Sequence, residues 1–138
     1  MTNRISPEGR SAIMRAIRSK DTKPERIVRQ IAHNLGYRFR LHRKDLPGKP
    51  DIVFPKWRSV IFVHGCFWHQ HPDKKCKDSH KPTSNSDYWQ AKLSRNQVRD
   101  AQHEAALQLK GWRVLVIWEC QTKDKKAIEK KLLSFLKH

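Results

Sequence analysis

Residues 61–71 read IFVHGCFWHQH. The stretch changes character in its middle. Val60, Ile61, Phe62 and Val63 are the β-branched and aromatic residues of a strand buried on both faces. After His64 come a glycine, a cysteine, two rings and two more histidines, residue types that belong partly to a core and partly to a polar site. A buried strand running into such a loop suits an α/β protein that keeps its chemistry at a strand end.

The elements on either side agree with that reading. Upstream, Ser6 with Pro7 starts a helix predicted over 6–19, with a sparse apolar stripe among arginines. Thr22, Pro24 and Glu25 open a second helix over 22–35, whose stripe is Ile27, Val28, Ile31, Ala32 and Leu35, and Gly36 stops it. Residues 37–42 alternate bulky and basic, as a half-exposed strand would. Leu46-Pro47-Gly48 is a turn, and strands follow over 51–54 and 59–63. Downstream, residues 64–86 look irregular, and a loop that long needs a function or a metal to order it. A long helix over 87–110 ends at Gly111, a buried strand runs over 112–118, and a helix over 123–136 closes the chain. The order predicts a single α/β domain over 1–138, with a mixed central sheet flanked by helices. Residues 1–20 are expected to form a helical arm that contacts the partner, although the same helix could equally pack on the core.

Composition narrows the partner. The 138 residues carry 30 Lys and Arg against 13 Asp and Glu, a formal net charge of +17 spread along the chain rather than gathered in a tail. That favours a polyanion, nucleic acid above all. No apolar run is long enough to cross a membrane and the first residues lack the apolar core of a secretory signal, so the expectation is a cytoplasmic protein, acting as a monomer. Three cysteines make no disulfide framework.

They suggest a metal instead. Cys66, His71 and Cys76 follow a C-x4-H-x4-C spacing, and Cys120 falls at the end of the last strand. Three thiolates and an imidazole give the closed tetrahedral coordination of structural zinc, which would tie the irregular loop to the sheet. Three unrelated buried thiols and a surface histidine would read alike, and His80 competes with His71 as the nitrogen ligand. A second site is suggested by Asp51, at the start of a strand, near a strand that ends at His64. Phosphodiester hydrolysis needs a metal to offset phosphate charge and a base to activate water. Asp51 is an oxygen ligand suited to Mg²⁺. His64 and His69 can shuttle protons near neutral pH, and Glu25 can hold a water at the metal. Taken alone, Asp51 reads equally as a turn residue.

The segments KDTKPE, LPGKPDIVF, IFVHGCFWHQH, YWQAKLSRNQVRD and GWRVLVIWEC, in this order across residues 20–120, resemble the very-short-patch repair endonuclease family. The resemblance implies a variant PD-(D/E)XK restriction-endonuclease core, with Phe62-Val63-His64 where a second carboxylate and a lysine usually stand. It implies a nickase that cuts one strand of double-stranded DNA 5′ to the thymine of a T·G mismatch left by deamination of 5-methylcytosine. It assigns Mg²⁺ to Asp51 and the Val63 backbone, general-base work to His69, and positioning to His64 and Glu25. Val63 stands where threonine would be expected, and the loop between His71 and Cys76 is longer than expected. Mismatch-repair proteins and a repair polymerase are the implied partners, at the nucleoid.

A mismatch is poorly stacked, so apolar wedges enter it at lower cost. Phe67 and Trp68 are natural wedges, expected to be exposed on a zinc-held loop, and Trp89 matches a third inserted ring. Lys92 and Asn96 share its helix face and resemble groove contacts, while Met14 matches a contact from the opposite groove. Tyr88 is expected to pack inward, and Trp57, Trp112 and Trp118 are expected in the core. Two other readings fit the charge: a related nuclease of different specificity, and a non-catalytic zinc-containing DNA-binding module.

Overall fold

The computed structural model describes residues 22–72, 76 and 86–137. The arm over 1–20 with Met14, and His80, lie outside the described residues. Helix α1 spans Lys23–Asn34, capped by Thr22, whose Oγ1 accepts from the Glu25 N–H at 3.4 Å. Gly36, at φ +90°, turns the chain away from it. Strands β1 (Arg40–Leu41), β2 (Ile52–Phe54) and β3 (Ser59–His64) follow, then helix α2 (Ser86–Leu109), strand β4 (Arg113–Trp118) and helix α3 (Lys125–Phe135). The four strands form one mixed sheet in the order β1-β2-β3-β4, antiparallel except for the parallel β3–β4 pair.

The strand expected over 37–42 is reduced to two residues. Its alternation was real, because Tyr37 and Phe39 each turn a ring edge onto Phe54, at 6.3 and 6.0 Å. His42, however, adopts φ 51°, which takes the backbone out of the extended region after Leu41. At the other end, a 3₁₀ turn over Glu119–Lys123 delays the last helix, and Asp124 caps it by accepting from the Ala127 N–H at 3.1 Å.

Each face of the sheet has its own core. Ile52, Phe54, Ile61 and Ile117 pack with Val28 and Ala32 of α1 and Ile128, Leu132 and Leu136 at α3. Val53, Val60 and Phe62 point the opposite way, onto Leu107 of α2 and Leu46. The period-two alternation of β2 and β3 therefore feeds two apolar layers, which is why both strands read as continuous apolar runs. Trp57 and Trp112 are half-buried at the margins of these cores, as expected. Among the described glycines, Gly48 makes the backbone approach that a side chain would block. It has φ +74°, and a Cβ there would lie 2.8 Å from the Cβ of His103 on α2. No described helix is long and apolar enough to cross a membrane.

Candidate active site and metal centre

The topology brings the candidate residues to one end of the sheet. Asp51 precedes β2, which runs antiparallel to β3, so it lies beside the end of β3, where Val63 and His64 stand. The parallel β4 ends at the same side, pairing Trp118 with His64 and delivering Glu119 and Cys120.

Asp51 is fixed by the Val63 backbone N–H, which donates to its Oδ2 at 2.7 Å. Burial raises its pKa to about 7, against a lowering by that Val63 bond, with Glu25 beside it raising it further. Glu25 is 3% exposed. Its Oε2 meets His42 Nε2 at 3.0 Å and Arg29 at 3.4 Å. Glu25, His42 and Asp51 offer ligand atoms within 4.8 Å of one another. A buried carboxylate beside a half-buried one is an arrangement that a divalent cation would relieve, and their oxygens suit Mg²⁺.

The second cluster is imidazole. His64 and His69 stack face to face, with centroids 3.9 Å apart and planes within 7°. His69 Nδ1 lies 2.5 Å from Asp100 Oδ2 on α2. His64 is held neutral, its pKa pushed down to about 3 by burial and then by His69. The structure thus groups the expected residues differently from the sequence reading, which set Asp51 beside His64 and His69. Asp51 clusters with Glu25 and His42, and the two stacked histidines cluster with Asp100.

The thiol quartet comes together as the spacing suggested. Cys66, His71, Cys76 and Cys120 have ligand atoms within 4.8 Å of one another. His71 Nδ1 lies 3.8 Å from Cys66 Sγ and 3.4 Å from Cys120 Sγ. A tetrahedral zinc with ordinary Zn–S and Zn–N bonds holds sulfur and nitrogen about 3.6 Å apart, so the donor set fits that ion. Burial pushes the Cys66 thiol up, and a cation would reverse this by favouring the thiolate. Trp118 stacks on His71 at 4.5 Å and meets His64 edge-on at 5.2 Å, so it belongs to the site's wall more than to the core expected for it.

The rings between the zinc candidates pack on one another. Phe67, Trp68 and Trp89 have centroids 5.1 to 5.9 Å apart. Trp68 is only 9% exposed, against the expectation of a ring presented to solvent. Tyr88, expected inward, is 53% exposed and leans on Trp89 at 5.1 Å. The helix places these rings over the loop, so Trp89 covers Trp68 and leaves Tyr88 outside. Lys92 sits over the Trp68 and Tyr88 rings at 5.8 and 5.9 Å. Asn96 Nδ2 donates to the Trp68 carbonyl at 3.0 Å, holding the loop rather than standing free. Sequence reasoning missed His42, Asp100 and Arg29. Of these only Asp100 left a trace, since it lies four residues after Asn96 and continues the face of Trp89 and Lys92.

Comparison with known proteins is consistent with this site. The family described as DNA mismatch endonuclease Vsr matches residues 2–76. The chain is 54% identical to the type II nicking enzyme V.XorIIP of Xanthomonas oryzae pv. oryzae, over 99% of this chain and 98% of that one. It is 42% identical to the nicking enzyme V.NmeAIP of Neisseria meningitidis serogroup A, over 96% and 92% of the two chains. It is 38% identical to the DNA mismatch endonuclease Vsr of Escherichia coli, over 91% and 78%.

Proposed function

The chain belongs to the Vsr family of DNA mismatch endonucleases, and from that footing we propose that it nicks one strand of duplex DNA, 5′ to the thymine of a T·G mismatch, to begin very-short-patch repair. The observation that carries this reading is the pairing, at one end of the sheet, of a buried carboxylate site (Asp51, Glu25) with His64, His69 and Asp100. We assign the core to the PD-(D/E)XK type on the same grounds, with Asp51 in its first acidic position.

Asp51 and Glu25, with the Val63 backbone, would hold Mg²⁺, which when bound offsets phosphate charge and acidifies water. The residues do the rest. His69 turns its Nδ1 to Asp100, which fixes ring and tautomer and leaves Nε2 to take a proton from the attacking water. His64, neutral and locked against His69, offers a hydrogen bond without adding a cation. Cys66, His71, Cys76 and Cys120 would hold a structural zinc that stiffens the loop carrying His69, Phe67 and Trp68. These rings with Trp89 are the wedge for the mismatch, and Lys92 flanks them toward the groove. The enzyme would act as a cytoplasmic monomer on nucleoid DNA, with mismatch-repair proteins and a polymerase following the nick.

The test uses end-labelled duplexes with Mg²⁺, one fully paired and one carrying T·G in the same context. One cut, in the thymine strand 5′ to the mismatch, is expected. Cutting of both strands, or equal cutting of paired DNA, would favour a nuclease of different specificity. Binding without any cut would favour a non-catalytic module.

A further inference from the structure

His42 was read from sequence as the end of a strand, and the structure puts it in the carboxylate site. Its backbone holds a left-handed φ of 51°, uncommon for a non-glycine residue and in need of some local enforcement. Part of that enforcement comes from the site. The His42 N–H donates to the backbone carbonyl of Asp51 at 3.2 Å, so the two residues are tied main chain to main chain. The side chain is 14% exposed and brings Nε2 to 3.0 Å from Glu25 Oε2. Neighbouring ligands on an octahedral ion with bonds of about 2.1 Å lie about 3.0 Å apart. Arg29, also on Glu25 Oε2 at 3.4 Å, and the Asp51 carboxylate are charged groups that face the pair.

We propose that His42 is a nitrogen ligand of the divalent cation held by Glu25 and Asp51. The inference rests on the cation site proposed above and extends it. To bind, the neutral imidazole would offer the ion its Nε2 lone pair and carry its one hydrogen on Nδ1, so a tautomer with hydrogen on Nε2 would release that proton to water and take one from water on Nδ1. The site is then mixed nitrogen and oxygen rather than all oxygen. Mg²⁺ gains little from an imidazole, whereas Mn²⁺ and the later divalent ions gain more. This chain therefore takes Mn²⁺ in preference to Mg²⁺ by a margin that depends on residue 42.

Mn²⁺ is also the probe. The full chain, with zinc supplied and DNA absent, is titrated with Mn²⁺ and examined by pulsed electron paramagnetic resonance for the ¹⁴N modulation of a coordinated imidazole. The modulation is expected in the parent and in His69→Ala, and is expected to vanish in both His42→Asn and His42→Gln. Asparagine tolerates the positive φ, and glutamine keeps the reach to Glu25. Both variants should lose about tenfold in Mn²⁺ affinity, and less in Mg²⁺ affinity measured by competition. Modulation that persists in either folded variant, or is missing from a parent that binds Mn²⁺, overturns the ligand role. Equal losses for both ions would leave His42 only orienting Glu25, which also overturns it. Failure of the underlying site looks different: Mn²⁺ would not bind the parent, or would bind Asp51→Ala equally well.

Discussion

Asp51 sits where burial opposes charge, and the consequence is a dependence of stability on pH. Its folded pKa of about 7 stands above the ordinary carboxyl value. The folded state therefore binds a proton that the unfolded state has lost between about pH 4 and 7, so stability present at low pH is lost as pH rises through 7. His64 acts in the opposite sense: its folded pKa of about 3 means its contribution is whole above pH 6.5 and fades as pH falls toward 3. Without Mg²⁺ but with zinc retained, Asp51→Asn is expected to stabilise the chain at pH 8 by on the order of 2–4 kcal/mol. The gain should shrink by pH 5, as measured by thermal unfolding. His69→Ala is expected to slow nicking by about 10²–10⁴-fold. Asp100→Asn should lose much of the same factor while leaving duplex binding unchanged, as single-turnover cleavage beside a binding titration will show. That Asp51, Glu25, His64 and His69 gather at one end of the sheet was legible in the sequence because each sits in a short, distinctive segment. His42 was not, because one histidine in a basic stretch carries no local pattern, and Asp100 left only its place on the helix face of Trp89, Lys92 and Asn96. Only the fold gives them a partner.

Among the elements, α2 explains why sequence patterning can fail on a real helix. Only Leu93 and Leu107 are buried along its 24 residues. The face turned to the protein carries Trp89, Lys92, Asn96, Asp100 and His103, which meet rings, a carbonyl, an imidazole and a glycine turn rather than an apolar core. Its length and its stop at Gly111 were readable; its orientation was not. The opposite case is the 65–71 loop, irregular in pattern but held by backbone bonds from His69 to Gly65 and from His71 to Cys66, at 3.1 and 2.9 Å. Metal-ligand spacing made the thiol quartet readable, whereas the burial of Trp68 depended on α2 folding over it. Zinc removal is expected to act on this loop first. Chelation, or Cys120→Ser, should strip hydrogen-exchange protection from residues 66–71 while β3 amides of Val60 to Phe62 stay protected. Equal loss along β3 would mean the quartet supports the whole sheet.

For the molecule as a whole, the function proposed above has the net charge of +17 set affinity and the uncharged rings set preference. Binding to both paired and T·G duplexes is expected to weaken by about 10³–10⁵-fold between 50 and 200 mM salt, if roughly 6–10 phosphates are met. The ratio of the two affinities should barely move with salt. Trp89→Ala should lower that ratio and leave the salt slope unchanged, which a filter-binding series in both duplexes will measure. The mixed sheet and its helices were readable from alternation and run length, since both faces of β2 and β3 are apolar. The short β1 was not: only Arg40 and Leu41 pair with β2, and the left-handed His42 ends the strand. The ring cluster has a consequence for how such an enzyme searches a chromosome. Phe67, Trp68 and Trp89 shelter one another, leaving Tyr88 as the ring of the four that faces mainly water. If these rings are the wedge proposed above, one kept sheathed in this way would drag little on intact duplex as the protein slides. Unsheathing it would break ring contacts, a toll that sound base pairs would not refund and a weak pair would, so fast travel and selective arrest would come from the same closed cluster.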